Sequence, residues 1–398
     1  MKSARKTLLL LHEGTKGPAI RPMQHRFSYS LKTAVTPSIS LCTEDSSSLF
    51  KFQSSLEDNL ANKMHAMEEY IAAMPKAELH VHIEGTIEPT LAQQLAIRNN
   101  VPIPSSIASL ADTSNGYSFH DLTSFLAVYY PNMAVLLTSQ DFFDLAYAYL
   151  TKAHSQNVVH TEMFFDPQAH TSRGVSFSSI VTGLREAIVK AEREFGVSAS
   201  LIMCFLRDMD AQSAMDTLIE ALPHKDWIAG VGLDSDERDN PPSKFSDVFA
   251  RAKQEGWLVT CHCDIDQKNS IEHIRQALED IGVNRIDHGT NIVEDERLVQ
   301  MVKEKGLGLT CCPVSNSVVA EDFKSKEILQ LLRSGVKVTI NSDDPAYFRG
   351  YVNENLMKMV NDANISKEEL LTLQRNAFEI SWISEGKKEY FLKLLEKY

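Results

Sequence analysis

Eight short apolar segments rich in Val, Ile and Leu recur along the chain from Pro75 onward, and longer segments with helical periodicity separate them. Near-continuous apolar strands that alternate with helices are typical of parallel sheets covered on both faces. Eight such units can close into a barrel, so the pattern predicts an α/β fold, a (β/α)₈ TIM barrel. The eight segments span residues 77–82, 158–165, 200–206, 228–234, 257–263, 285–289, 306–312 and 336–341.

The segments between the predicted strands carry helix signals. Residues 270–282 have their aliphatic side chains on one stripe and follow Asn269, a candidate N-cap. Residues 294–306 end at Gly306, a typical C-cap. Residues 83–157, between the first two strands, form a stretch far longer than one crossover helix. We expect extra helices there, covering one end of the barrel.

Composition limits the functional classes. The chain has 398 residues, 43% of them hydrophobic, and a formal net charge of −13. An acidic chain does not favour binding to nucleic-acid backbones, which attract clustered Lys and Arg. No apolar run approaches the roughly 18 residues that span a bilayer, so a membrane protein is not expected. A small neutral or cationic ligand fits this charge better. The sequence leaves the oligomeric state open.

Five of the six cysteines lie in or beside predicted strands. Disulfide frameworks belong to short secreted chains, so reduced, buried thiols of an intracellular protein are expected. The C-x-C and C-C spacings differ from the paired C-x-x-C of a closed zinc site, which makes thiolate ligation the lesser alternative. The six are Cys42, Cys204, Cys261, Cys263, Cys311 and Cys312.

The first 60 residues differ from the rest. Residues 1–42 contain seven Lys or Arg and a single acid, Glu13, a bias that resembles an organelle transit peptide. A disordered extension that carries no targeting signal is the alternative of equal weight. We therefore expect residues 1–60 to be a poorly ordered basic extension and residues 61–398 to be a single barrel domain. A cytoplasmic location is expected, or an organellar one if the extension is a transit segment.

Polar side chains follow the predicted strands at their carboxyl ends, where TIM barrels place functional groups. His80 and His82 are two apart on one strand, so both point toward the barrel axis. Two imidazoles aimed at one point suit a metal. Three imidazoles plus one carboxylate would suit Zn²⁺ with a position left for water, and Fe²⁺ or Mn²⁺ remain alternatives. The other polar residues at strand ends are Asp166, Gln168, Asp234, Ser235, His262, His288, Asp343 and Asp344.

Several motifs, in order, resemble the adenosine/adenine deaminase family of the amidohydrolase superfamily from about Pro75 to the C-terminus. They read "PKAELHVHIEGTIEP", "EMFFDPQAHTSRG", "GVGLDSDE", "RIDHG", "CCPVSN" and "VTINSDDPAYF". The resemblance implies one zinc ion per chain, with His288 orienting or deprotonating its water and Asp344 contacting a purine. The implied zinc ligands are His80, His82, His262 and Asp343.

Two features resemble the adenine branch of that family rather than the nucleoside branch. One is "EMFFDPQAHT", and the other is Ser235, which stands where the nucleoside branch usually has the Gly of a Gly–Asp–Glu sequence. At the mouth, Asp234 and Ser235 are predicted to shape the base pocket. Asp166 and Gln168 join them as candidates, although Asp166 could instead cap the loop that follows it.

The stretch "CHCDID" at 261–266 departs from the family pattern His-Ala-Gly-Glu, whose Glu serves as the catalytic acid, because Ile265 stands at the acid's position. Strand alternation places residues 264 and 266 on the side of His262. Asp264, ahead of Asp266, is therefore the candidate acid. A helix-capping role for Asp266, a substrate protonated in another way, and a weak or inactive enzyme are the alternatives.

Together these features predict zinc-dependent hydrolytic deamination of a 6-aminopurine, adenine to hypoxanthine and ammonia. The alternatives are deamination of an N6-substituted adenine, of adenosine or of another aminated heterocycle, and a catalytically impaired purine-binding barrel. The H-x-E deaminase design is matched by His82, Ile83 and Glu84, but no P-C-x-x-C follows. Glu78 and Glu84 flank the first histidines and are candidates to orient them.

Overall fold

The computed structural model describes residues 61–110, 117–263, Ile265 and 267–398. These residues all belong to one compact unit. The predicted basic extension of residues 1–60 and both candidate acids, Asp264 and Asp266, lie outside the described residues.

Eight parallel strands form one sheet in the order in which they occur along the chain. Each of the eight predicted segments overlaps one of them, so the predicted TIM barrel is confirmed. Residues after the last strand close the barrel against the first, where Val81 pairs with Asp343 in a parallel bridge. The strands are β1 (Lys76–His82), β2 (Val158–Phe165), β3 (Ser198–Leu206), β4 (Ile228–Asp234), β5 (Leu258–Cys263), β6 (Arg285–His288), β7 (Gly308–Cys311) and β8 (Lys337–Ile340).

Helices surround the barrel, and the described part of the long β1–β2 connection contains four of them, where extra helices were predicted. The helices are α1 (61–73), α2 (Pro89–Asn99), α3 (Ser105–Leu110), α4 (Leu122–Asn132), α5 (Ser139–Ser155), α6 (Pro167–Thr171), α7 (Phe177–Phe195), α8 (Ala211–Ala221), α9 (Ser246–Gln254), α10 (Ser270–Arg275), α11 (Glu296–Glu304), α12 (Pro313–Val319), α13 (Ser325–Ser334), α14 (Pro345–Phe348), α15 (Val352–Ala363), α16 (Lys367–Ile380) and α17 (Glu385–Leu395). Short 3₁₀ turns occupy Glu84–Thr86, Met133–Val135, Leu222–Trp227, Pro242–Phe245 and Thr290–Glu294.

The helix predicted over residues 270–282 differs in detail. It begins as α10 and continues as a π-helix over Gln276–Ile281 before Gly282 ends it with a positive φ of 69°. Asn269 precedes it as predicted, but its side chain does not cap the helix and instead contacts His273. The wider turn is one of the irregularities that occur near functional sites.

The strands are buried on both faces, which explains their near-continuous apolar sequence. A charged layer lies inside the barrel, where the fully buried guanidinium of Arg285 donates to Glu162 at 2.5 Å. The Arg285 Nε lies 3.7 Å from an oxygen of Asp287. The guanidinium between two carboxylates partly balances the buried negative charge, as burial of charge requires.

The five described cysteines are buried and free, in agreement with the prediction. Among the described helices, none has the length and apolarity to cross a bilayer.

Candidate metal centre and active site

Four buried side chains converge at the carboxyl-terminal mouth of the barrel. His80 and His82 come from β1, His262 from β5, and Asp343 from the turn after β8. Their ligand atoms all lie within 4.8 Å of one another. The structure therefore brings together the four residues that the family resemblance implied as ligands.

Hydrogen bonds fix the ring of His80 so that one nitrogen is free for a metal. The Thr310 hydroxyl donates its only proton to Asp287 Oδ1 at 2.8 Å, so it accepts from His80 Nδ1 at 2.9 Å. The His80 Nε2 lone pair then points at Asp343 Oδ1, 3.1 Å away. Such orienting partners are usual for histidine ligands.

His262 is oriented in the same way. Its Nδ1 donates to the Leu233 carbonyl at 3.1 Å, which leaves Nε2 without a proton. That Nε2 lies 3.0 Å from the Nε2 of His82. Two imidazole nitrogens that face each other at this distance need a cation or a proton between them. The residues present therefore fit a bound divalent metal.

Burial favours the neutral form of these histidines, which is the form that binds metal. Burial lowers the pKa of His80 to about 4, against the opposing charge of Asp343. Burial together with the neighbouring His80 and His82 holds the pKa of His262 well below its ordinary value. At neutral pH the cluster offers imidazole lone pairs rather than imidazolium protons.

The backbone is strained where functional side chains leave the strands. Ser235, His288 and Asp343 have positive φ values of 75°, 56° and 66°. Each such residue costs about 1–3 kcal/mol and persists where the surroundings impose it. At Asp343, strand β1 imposes this backbone conformation through two hydrogen bonds. The Asp343 N–H donates to the His80 carbonyl, and the Asp343 carbonyl accepts from the His82 N–H.

A cavity with an empty volume of about 460 Å³ opens beside the metal cluster. One wall is apolar and aromatic, with most of it supplied by α4, and the opposite wall carries the polar groups of the strand ends. The apolar wall is formed by Leu122, Phe125, Leu126, Tyr129, Tyr130, Val319 and Phe348. The polar wall is formed by His82, Asp166, Asp234, Ser235, His262, His288, Ser315, Asp343 and Asp344.

Three carboxyl groups of the polar wall hold protons more tightly than usual. Burial, then the charges of nearby acids, raises the pKa of Asp344 and of Asp166 well above the ordinary value. Burial raises the pKa of Asp234 to about 7. Protonated carboxyls can donate hydrogen bonds, which suits a ligand whose ring nitrogens are acceptors.

The remaining predicted residues occupy distinct places. His288 Nε2 lies 3.7 Å from Asp343 Oδ2. Ser235 Oγ accepts a hydrogen bond from Tyr130 at 2.7 Å, on the cavity wall. Gln168 is not among the residues that line the cavity, because its amide donates to Ser213 at 2.8 Å and accepts from the Leu206 N–H at 2.9 Å.

The two glutamates that flank the first histidines, Glu78 and Glu84, form no hydrogen bond with the imidazoles of His80 or His82. Glu78 accepts from the Ser342 N–H at 3.1 Å, and thereby holds the turn that carries Asp343. Glu84 is fully buried and accepts from His170 at 2.9 Å.

The carboxylate nearest to the oriented ring nitrogens is Asp287, which sequence reasoning missed. It accepts from Thr310, the partner of His80, and lies 3.5 Å from His262 Nδ1. The available signal was that Arg285 and Asp287 are charged residues within a predicted barrel strand.

Sequence reasoning also missed the aromatic wall. Tyr129 and Tyr130 lie in the β1–β2 insertion, which was predicted only to cover the barrel end. Tyr129 is 3% exposed, and its phenol oxygen has no hydrogen-bond partner among the described residues. A buried, unpartnered donor on a cavity wall is available to a ligand.

A TIM barrel with three histidines and an aspartate gathered at its mouth defines a metal-dependent hydrolase of the amidohydrolase type. The sequence profile described as Adenosine deaminase matches residues 75–398, and the chain belongs to that family. The resemblance that the motifs indicated is confirmed.

Relatives match nearly the whole of their own length. An uncharacterized deaminase of Schizosaccharomyces pombe is 50% identical over 336 residues, which cover 84% of this chain and 98% of the relative. An adenine deaminase of Wolinella succinogenes is 46% identical over 332 residues, which cover 83% and 99%. The crystal structure of an adenine deaminase from Arthrobacter aurescens has a TM-score of 0.77 at 42% identity, covering 82% of this chain and 99% of that one.

Proposed function

We propose that this protein is a zinc-dependent adenine deaminase, which converts adenine and water into hypoxanthine and ammonia. The observation that carries the proposal is the cluster of His80, His82, His262 and Asp343 within 4.8 Å, beside a cavity lined by carboxyl groups whose pKa values burial raises. The adenine deaminases of Wolinella succinogenes and Arthrobacter aurescens, similar over almost their full length, support adenine as the substrate.

Zinc is the metal we propose, one ion per chain. Three neutral imidazoles and one carboxylate form a donor set that suits Zn²⁺ and leaves a position for water, with Fe²⁺ and Mn²⁺ as the competing ions. When bound, the metal supplies a Lewis acid that makes hydroxide available near neutral pH. The residues of this chain must then move protons and hold the base.

His288 and Asp344 take the two roles nearest to the metal cluster. His288 accepts the proton of the attacking water, because its ring lies at the cluster and its Nε2 is directed toward Asp343. Asp344 lines the cavity, and burial raises the pKa of its carboxyl well above the ordinary value, so we assign it a hydrogen bond to a ring nitrogen of the purine. The water oxygen forms a bond to C6, the bond from C6 to the amino nitrogen breaks, and the amino group leaves as ammonia with the proton that His288 accepted from the water.

A carboxylic acid must protonate the ring nitrogen beside C6, or attack builds an unstabilised anion. Ile265 stands at the family's acid position, and its side chain is only 9% exposed. We propose that Asp264, or failing it Asp266, supplies this proton.

Asp166, Asp234 and Ser235 are proposed to bind the remaining edge of the base. All three line the cavity, and the Tyr130 hydroxyl donates to Ser235 Oγ at 2.7 Å. Gln168 was predicted to join them, but its contacts tie α6 to β3 and α8, so its effect on the substrate is indirect.

An N6-substituted adenine is a second candidate substrate. The apolar wall of Leu122, Phe125 and Val319 could receive an alkyl group on the exocyclic nitrogen. The altered acid loop is the other reason, since a different leaving group changes the protonation that the reaction needs.

The test is to measure ammonia release from adenine, adenosine and N6-alkyladenines with metal-quantified protein. We expect near one zinc per chain and the highest kcat/KM for adenine. A preference for an N6-alkyladenine would select the second candidate, and a preference for adenosine would contradict the base-level proposal. Purine binding without turnover would indicate the impaired barrel.

The cellular setting is proposed as cytoplasmic, or organellar if residues 1–60 are a transit segment. Imaging of the full chain and of a chain that begins at residue 61 would separate these alternatives. The proposed partner is the small-molecule purine alone.

A further inference from the structure

Buried polar side chains that the proposed mechanism does not use hold the loop between β5 and α10. The first is Arg207, which directly follows β3 and is fully buried. Its Nη1 donates to the backbone carbonyl of His262 at 2.9 Å and lies 3.2 Å from Glu237 Oε1. The start of the loop is therefore bound, at a metal ligand, to a side chain from another strand.

The end of the loop is bound to the same glutamate. Glu237 is fully buried, and its Oε2 accepts from His273 Nδ1 at 2.7 Å. The other ring nitrogen of His273 lies 2.9 Å from Asn269 Nδ2. Glu237 thus joins Arg207 at the beginning of the loop to α10 at its end.

The middle of the loop has its own support. Asn291, from the 3₁₀ turn after β6, donates to the Ile265 carbonyl at 3.0 Å and to Ser270 Oγ at 2.9 Å. We call Arg207, Glu237, His273 and Asn291 the loop clamp. They reach the loop from the ends of β3, β4 and β6 and from α10.

Stability alone does not account for such a clamp. Burying an Arg–Glu pair costs several kcal/mol per ion and is often no better than apolar packing. What the pair provides is a defined geometry for the main chain on both sides of positions 264–266. Geometry is decisive there, because an aspartate is one methylene shorter than the family's glutamate, and misplacing a catalytic group by about 1 Å costs on the order of 100-fold in rate.

We propose that the loop clamp is a set of positioning residues, which fix the main chain of the β5–α10 loop at His262, Ile265 and Ser270 and thereby position the catalytic acid that the proposed function assigns to this loop. The inference rests on the proposed deaminase function. The clamp acts through the loop, so its removal changes kcat rather than substrate affinity or metal content.

The first experiment compares His273→Phe with His273→Gln in the metal-loaded protein. Gln retains a donor and an acceptor, whereas Phe keeps the volume and loses both. We expect His273→Phe to lower kcat by about 10- to 100-fold, with KM and metal content unchanged. His273→Gln should recover most of this loss. Equal damage from both substitutions would overturn the proposal.

The second experiment repeats His273→Phe in a protein that already carries Asp264→Asn and Asp266→Asn. Without the carboxylates there is nothing left to position, so the effect on kcat should shrink to less than about twofold, as expected for residues that act as a unit. The matched control is His160→Phe, because His160 is fully buried and contacts Ser198 at the far end of the barrel. Its effect should be the same in both proteins.

An equal effect of His273→Phe in the two proteins would reduce the clamp to a structural role and overturn the inference. Wild-type turnover in the double Asn variant would also overturn it, because the loop would then carry no catalytic acid, while deamination itself would stand. A metal-loaded wild-type protein without turnover would contradict the proposed function as well.

Discussion

At the residue scale, the geometry of the proposed metal cluster depends on groups outside the four candidate ligands. Thr310 and the Leu233 carbonyl each hold one ring nitrogen of a histidine and free the other. The convergence of these four residues was predictable, because histidines and aspartates at strand ends are visible in the sequence. Their orienting partners were not, because a threonine within an apolar strand has no feature that separates it from an ordinary core residue.

Removal of the candidate acid is the first test at this scale. Asp264→Asn should lower kcat for adenine by about 100-fold or more, because general acid catalysis contributes about 10²–10⁴-fold. Zinc content should stay near one per chain, since Asp264 is not among the four proposed ligands. Asp216→Asn on the outer helix α8 is the matched control and should leave both unchanged. Unchanged turnover in Asp264→Asn would transfer the role to Asp266.

The unpartnered phenol of Tyr129 gives a second test. Tyr129→Phe removes one hydrogen bond to the substrate, worth about 0.5–1.5 kcal/mol, so KM for adenine should rise by about two- to tenfold with kcat nearly unchanged. Tyr147→Phe, on α5 and paired with Glu194 at the surface, is the control. A KM equal to that of wild type would show that the phenol does not reach the base.

At the element scale, the strands could be predicted and the loops could not. A parallel strand that is buried on both faces has a nearly unbroken apolar sequence, and each of the eight apolar runs overlaps a strand. The loop after β5 has no such pattern. Its course depends on Arg207, Glu237 and His273, which are far apart in sequence and meet only in the folded barrel.

The turn after β1 shows how two elements are fitted together at the site. A Cβ on Gly85 would lie 2.0 Å from Asp344 Oδ1, so only glycine allows the 3₁₀ turn to pack against this carboxyl. Gly85→Ala should displace Asp344 and lower kcat/KM by about 100-fold, at a cost in stability of about 1–3 kcal/mol. Gly386→Ala is the control, because a Cβ added at Gly386 would meet no heavy atom of another described part of the chain within 4 Å. Normal kcat/KM in Gly85→Ala would exclude a substrate role for Asp344.

At the scale of the whole molecule, the metal cluster joins the first, fifth and eighth strands of the barrel. Bound metal should therefore stabilise the closed barrel, by about 4 kcal/mol at a free metal concentration of 1,000 times Kd. Chelation should lower Tm by several degrees and abolish turnover, and Zn²⁺ should restore both. Thermal scans of the chelated and reloaded protein measure this. Equal Tm values would place the metal elsewhere.

The chelated barrel should also lose stability as the pH falls. The folded pKa of His80 is about 4, below the ordinary value of 6.5, so between these values the unfolded chain binds the additional proton. This histidine therefore destabilises the fold progressively as the pH drops from about 6.5 to about 4, by about 3 kcal/mol in all. Asp344 acts in the opposite direction, because its pKa is raised.

The contribution of His80 is isolated by the difference in the free energy of unfolding between wild type and His80→Asn. Denaturant unfolding of both chelated proteins at pH 7, 5.5 and 4.5 measures this difference. A difference that stays constant across these pH values would mean that the His80 ring is not held neutral in the folded chain.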